Sequence, residues 1–342
     1  MASQSNDEET SEKSERSMRV GIGQLRDPSR DRLRLIRQLG VEDVIFNFYA
    51  TEPAELPLSG ESEWDLQELV QLRNRVEDAG LRLAAIENLP AYFYDDIVLG
   101  REGRDEQIEA VKRTIRNIGK ADIPALGYNW MPNGVWSSSR THPVRGGAEA
   151  RAYDHAQLGD APLTHDRAYD EEEMWENYAY FVEEVMPVAE EAGVRMGVHP
   201  DDPPVESLGG IPRLFRNFEN YKRAMDLYDS PYHGVELGLG VFSEMGEDVT
   251  EVIRYFGERD EIIYVHFRDV VGTVPFFYET FLDDPGANYD EWEVVRTLQE
   301  VGFDGVLIPD HVPAMTSEDS WAAGRGHTVG YIKGMLRAVQ SE

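Results

Sequence analysis

Apolar and polar positions alternate between two textures along the chain. Short, nearly continuous apolar runs occur at 19–24 (RVGIGQ), 43–48 (DVIFNF), 82–88 (RLAAIEN), 125–130 (ALGYNW), 195–200 (RMGVHP), 234–240 (GVELGLG), 262–269 (IIYVHFRD) and 305–311 (GVLIPDH). Such runs predict strands buried on both faces. Between them lie stretches with helical spacing. In 64–79, Leu66, Leu69, Val70, Leu72 and Val76 form one stripe that Gly80 closes, and 105–121 repeats the plan with Ile108, Val111, Ile115 and Ile118. Segments 171–192, 217–227, 247–256, 289–301 and 320–339 read as further helices. Strands alternating with helices predict a parallel sheet, and eight parallel strands close into a (β/α)8 TIM barrel. The expected fold is therefore α/β, a single domain over 18–342. A doubly wound open sheet is the runner-up, disfavoured because no strand leads into a G-x-G-x-x-G turn.

Segment 131–170, after the fourth strand, is rich in Pro, Gly, Arg and His and shows no clear period. It predicts a long loop over the functional end of the barrel, since loops of that length in compact domains are usually functional.

Composition narrows the chemistry. The chain has no cysteine, which excludes disulfides and thiolate ligands and leaves oxygen and imidazole donors. Its 65 acids against 33 bases give a net charge of −32. A surface this negative repels phosphate backbones, so nucleic acid is not an expected partner. Only five bases are lysines (Lys13, Lys112, Lys120, Lys222 and Lys333), and this balance reads as that of a halophile's cytoplasmic protein. No apolar run approaches the roughly 20 residues that span a bilayer, so no membrane partner is expected. Residues 1–17 lack a signal-like apolar stretch and are expected to be a disordered acidic tail.

Barrel sites are built from the carboxyl ends of strands. Here those ends carry Glu87-Asn88, Tyr128-Asn129-Trp130, His199, His266-Phe267-Arg268 and Asp310-His311. A buried run that stops in His or Asp needs a partner for the polar group. His199, His266 and Asp310 do so on three strands and are the candidate ligands of Mn²⁺, Mg²⁺, Co²⁺ or Zn²⁺. Arg268, two residues past His266, returns to the same side. With Arg140 in the long loop it is a candidate clamp for an acidic substrate. Asn129 and Trp136 are candidate substrate contacts. His311, next to a candidate ligand, is the acid/base candidate, because imidazole titrates near working pH. Arg268 and Asp310 complete the expected catalytic group.

Further runs stand in order along most of the chain, among them His199-Pro200-Asp201-Asp202-Pro203-Pro204, Asn217-Phe218-Glu219-Asn220-Tyr221-Lys222, Ser230-Pro231-Tyr232-His233-Gly234, Tyr264-Val265-His266-Phe267-Arg268 and Gly305-Val306-Leu307-Ile308-Pro309-Asp310-His311. By them the chain resembles, from about residue 18 to 336, the mannonate dehydratases. The resemblance implies a hydro-lyase of hexuronate degradation that converts D-mannonate to 2-dehydro-3-deoxy-D-gluconate. The implied metal is Mn²⁺, or another divalent ion such as Mg²⁺, Co²⁺ or Fe²⁺, held by His, Cys, His and Asp. His199, His266 and Asp310 match three of those ligands. Gly238 stands at the place of the cysteine, and the gap is expected to be filled by water or in part by Glu236, on the same face one layer deeper. A small-molecule sugar acid is the implied partner, with assembly into a homo-oligomer left open. The alternatives are a related sugar isomerase or epimerase, and a non-catalytic sugar-acid-binding barrel.

Overall fold

The computed structural model describes residues 17–49, 58 and 60–341. Apart from Ser17, the expected tail lies outside the described residues. Eight parallel strands close into a barrel: β1 Arg19–Leu25, β2 Asp43–Asn47, β3 Arg82–Glu87, β4 Ala125–Tyr128, β5 Arg195–Val198, β6 His233–Gly238, β7 Ile262–Phe267 and β8 Val306–Pro309. Neighbours follow chain order, and β1 pairs with β8 through Arg19↔Val306. All eight runs expected from the sequence are strands. Most stop one or two residues earlier than the apolar texture suggests, because the chain turns at the rim that carries the site.

The helices obey local capping rules. Glu171–Ala192 starts at Asp170, whose side chain accepts from the Glu172 amide, and three glutamates in its first turn face the positive helix end. It ends at Gly193 with φ 70, a left-handed turn that glycine adopts without strain. Two of the helices that escape the sequence pattern show why. Arg30–Gln38 is mostly charged and buries only Leu33 and Ile36. Leu239–Met245 is buried almost throughout, so it shows no polar face and reads as strand, Gly240 included.

Segment 131–170 is not structureless, which corrects the expectation for it. It contains strands Ser139–Pro143 and Glu149–Asp154 and a short helix, His155–Leu158. These strands join the hairpin Val270–Thr273/Phe276–Glu279, which follows β7, in a four-stranded antiparallel sheet. Tyr153, Val205, Leu208, Val270 and Phe277 form a separate small core, against which Trp136 packs. A bridge from Glu149 to Ala314 ties the sheet to the chain after β8. The sheet thus caps the carboxyl end of the barrel. Among the described residues no helix is long and apolar enough to cross a membrane.

Candidate metal centre and active site

The barrel interior has to make room before it can hold charged groups. At Gly127 on β4 an added Cβ would lie 2.0 Å from the Tyr264 hydroxyl and 2.6 Å from Glu236 Oε2. Glycine there admits both side chains to the axis. Above this layer His199, Glu236 and His266 come together, each offering one ligand atom within 4.8 Å of the others. His199 Nδ1 donates to the Pro200 carbonyl at 2.6 Å, which leaves Nε2 with its lone pair toward the cluster. Burial pushes His199 down, keeping it neutral. His266 Nε2 bonds Glu87 Oε2 at 2.9 Å and lies 2.8 Å from Glu236 Oε1. One N–H serves only one of these well, and neither oxygen of the fully buried Glu236 has a hydrogen-bond partner. A buried carboxylate left in this way is costly unless it meets a cation.

Burial alone would lower His266, but Glu236, Glu87 and Asp310 outweigh it and hold its pKa well above the usual histidine range. Those carboxylates select for positive charge at this point. Two imidazoles and carboxylate oxygens suit a divalent ion such as Mn²⁺, Co²⁺ or Fe²⁺, so the donor set fits the expected metal. Asp310, the third expected ligand, sits on the other side of His266, with Oδ1 3.6 Å from Nδ1. It is held by Gln24 at 3.1 Å and by Arg268 at 2.9 Å. The tight cluster therefore includes Glu236, and Gly238 adds no donor. A Cβ on Gly238 would lie 2.9 Å from Pro200 Cγ.

Arg268 is placed beside His266 as strand parity requires, but it is not a free clamp. Its guanidinium is 2% exposed and contacts Asp310 at 2.9 Å, Glu244 at 2.7 Å, Glu279 at 3.3 Å and Asp202 at 3.4 Å. The fork is taken up by protein carboxylates, and its Nε holds Asp310. Arg140 is exposed on the outer strand of the cap. The cap arginine that reaches the site is Arg151, with Nη2 3.5 Å from Asp202 and Nη1 3.5 Å from Glu279. Asn129 spends its amide on Asn88 at 3.0 Å and on the Met131 amide at 3.1 Å. Trp136 donates to the Asn133 carbonyl at 2.9 Å and packs into the cap core. Tyr128 and Trp130 face outward against Tyr178 and Phe181.

His311 does lie in the site, with its side chain 29% exposed. Its Nδ1 is 2.7 Å from Glu279 Oε1, and Arg151 Nη1 is 2.8 Å from the same nitrogen. Burial would raise Glu279, but His311, Arg151 and Arg268 outweigh it and hold the carboxyl at about 2. An ionised Glu279 accepts a hydrogen bond from Nδ1–H, and in that tautomer the ring nitrogen able to accept from Arg151 is Nε2, 3.2 Å from Nη1. Nε2 is then turned to Asp310 Oδ1, 3.6 Å away. Gln24, Arg151, Glu279 and Arg325 went unseen as site residues in the sequence. Gln24 alone carries a signal, as the last polar residue of a barrel strand.

A closed eight-stranded barrel with imidazoles and carboxylates gathered at the carboxyl ends of its strands defines a TIM-barrel enzyme. The sequence profile described as D-mannonate dehydratase (UxuA) matches residues 26–167 and 162–342. A mannonate dehydratase of Thermotoga neapolitana is 35% identical over 314 residues, covering 82% of this chain and 84% of the relative. Mannonate dehydratase 2 of Halalkalibacterium halodurans is 32% identical over 308 residues, covering 81% and 88%. The crystal structure of mannonate dehydratase from Streptococcus suis serotype2 superposes with a TM-score of 0.82 at 29% identity, covering 95% of this chain and 94% of that one. An L-ribulose 3-epimerase, 18% identical with a TM-score of 0.59, covering 95% of this chain and 96% of that one, shares the fold. The chain belongs to the D-mannonate dehydratase family of hydro-lyases.

Proposed function

We propose that the protein dehydrates D-mannonate to 2-dehydro-3-deoxy-D-gluconate and water, using a divalent metal, Mn²⁺ first. Membership of the family supports the reaction. The observation that carries the metal is the fully buried Glu236, whose oxygens make no hydrogen bond and whose Oε1 lies 2.8 Å from His266 Nε2 and 3.9 Å from His199 Nε2. These three would hold the ion, with Asp310 as the fourth group of the set. A bound divalent ion supplies Lewis acidity that stabilises negative charge developing on substrate oxygen.

The reaction removes the C2 proton and the C3 hydroxyl, and the enol then gains a proton at C3 to give the 2-keto product. His311 is the proton carrier in this reading. With Nδ1–H held by Glu279, Nε2 accepts or returns a proton. Arg268 keeps Asp310 in place, and Arg151 lies against the His311 ring on the Nε2 side. The cap sheet covers this end of the barrel and limits water around the reacting carbons. The acidic composition supports a cytoplasmic, high-salt setting.

The test is formation of 2-keto-3-deoxygluconate from D-mannonate with Mn²⁺ in molar KCl, with D-gluconate as the C2 epimer control. Product from D-mannonate alone is expected. Equal rates on both acids would keep the reaction class and remove the sugar preference. No product from either, with metal bound, would overturn the reading in favour of an isomerase or a binding protein.

A further inference from the structure

Three arginines are buried among the described residues: Arg213, Arg268 and Arg325. Arg213 pairs with Asp201 at 3.5 Å, and Arg268 contacts four carboxylates. Arg325, in the helix Ser320–Val339, is 8% exposed and makes no ion pair among the described residues. Its Nη2 donates to the main-chain oxygen of Asp310 at 3.2 Å, and its Nε has no hydrogen-bond partner. A buried guanidinium without an acid is costly, and here it occurs in a chain with 65 acids against 33 bases. Burial pushes Arg325 down to about 10, against the pull of Asp310 and Glu87. It remains a cation at neutral pH, in want of an anion.

Its place says which anion. The hydrogen bond to the Asp310 carbonyl puts Arg325 next to the residue whose side chain faces His266. Trp321 supports the guanidinium, its ring centroid 4.8 Å from Cζ. The other two arginines near the site, Arg151 and Arg268, already contact protein carboxylates. A sugar acid bound at the metal cluster brings its carboxylate within one carbon of the proton that leaves, and charge spreads onto that carboxylate as the proton goes. A fixed cation beside it is then more effective in the transition state than in the ground state.

We propose that Arg325 receives the substrate's carboxylate, and so makes the site select an aldonic acid over an uncharged polyol or sugar amide. This inference rests on the sugar-acid reading above.

The experiment uses the full-length, Mn²⁺-loaded protein with Arg325→Gln and Arg325→Lys. It measures calorimetric Kd for D-mannonate and for the uncharged D-mannonamide, KM and kcat, the Mn²⁺ Kd, and Tm. Arg325→Gln is expected to weaken D-mannonate by about 10- to 100-fold, the worth of charge-assisted hydrogen bonds to one carboxylate. Arg325→Lys should restore part of this, D-mannonamide should bind both forms alike, and the Mn²⁺ Kd and Tm should not worsen. Unchanged D-mannonate affinity in Arg325→Gln would overturn the proposal. A fall in Tm with equal losses for acid and amide would also overturn it, by showing a structural role. A wild type that binds D-mannonate but forms no product would sink the dehydratase reading and leave Arg325 to be judged on Kd. A wild type that neither binds nor converts it sinks both.

Discussion

His233 opens β6, the strand that carries Glu236, and replacing it separates structural from chemical histidine. The side chain is 1% exposed; Nδ1 donates to the Tyr228 carbonyl at 3.2 Å and Nε2 lies 3.4 Å from the Tyr178 hydroxyl. Burial pushes its pKa from 6.5 down to about 4. The folded protein thus keeps the ring neutral where the unfolded chain protonates it. The contribution to stability is complete above the unfolded value of 6.5 and is lost as pH falls toward 4. Between pH 8 and pH 5 the loss is about 2 kcal/mol by linkage. For a chain of this size that is roughly 3 °C in Tm. His233→Asn retains a donor for Tyr228 and removes the titration. The Tm difference between wild type and variant, measured at pH 5, 6, 7 and 8, should shrink by about that amount on acidification, whatever constant packing penalty the variant carries. A pH-independent difference would show that His233 charges inside the fold or is hydrated there, and that its burial does not set its protonation.

Three further outcomes are expected. Glu236→Gln should weaken Mn²⁺ by on the order of 100-fold, more than loss of an outer-shell partner, while Tm without metal does not fall; calorimetry giving an unchanged Kd would place the metal elsewhere. Gly238→Cys should lower Tm, since overpacking against Pro200 costs about 1–3 kcal/mol, and should gain more affinity for Zn²⁺ than for Mn²⁺; gain for neither metal would show that the new thiol does not reach the cluster. Tm should rise steeply from low to molar KCl, where the screening length shrinks to about 3 Å and the repulsion among the 65 acids is damped; a flat profile would refute the halophilic reading.

The barrel was legible because each of its strands is apolar through both faces, a texture written in consecutive residues. The cap was not. Strand Glu149–Asp154 pairs with Phe276–Glu279 through Phe276↔Asp154, Phe277↔Tyr153 and Tyr278↔Ala152, partners more than a hundred positions apart. Its own string, EARAYD, has no local feature that announces this. Helix Leu239–Met245 was hidden for the opposite reason. Buried nearly all round, it has lost the polar stripe by which helices declare themselves.

The site divides along the same line. Strand ends pointed to His199 and His266, and strand parity put Arg268 on the side of His266, because side-chain direction is a local property. Parity says nothing of which opposite charges arrive from other elements, and that decides what each group is free to do. Arg268 meets Glu244 from a helix the sequence concealed and Glu279 from the cap, so its charge is consumed before any substrate enters. Arg151, placed by that same cap, reaches Asp202 and Glu279, while Arg140 stays exposed on the cap's outer strand. Glu236 shows the converse. It lies one layer below the rim with its oxygens in no hydrogen bond and facing the two imidazoles, whereas Asp310 is held by Gln24 and Arg268, so Glu236 is the freer carboxylate for a cation that takes the place of the His266 proton. For a buried charge in this barrel, the acids and bases that remain unpaired after folding, rather than the residue type or its register, mark where a ligand has to supply the missing half.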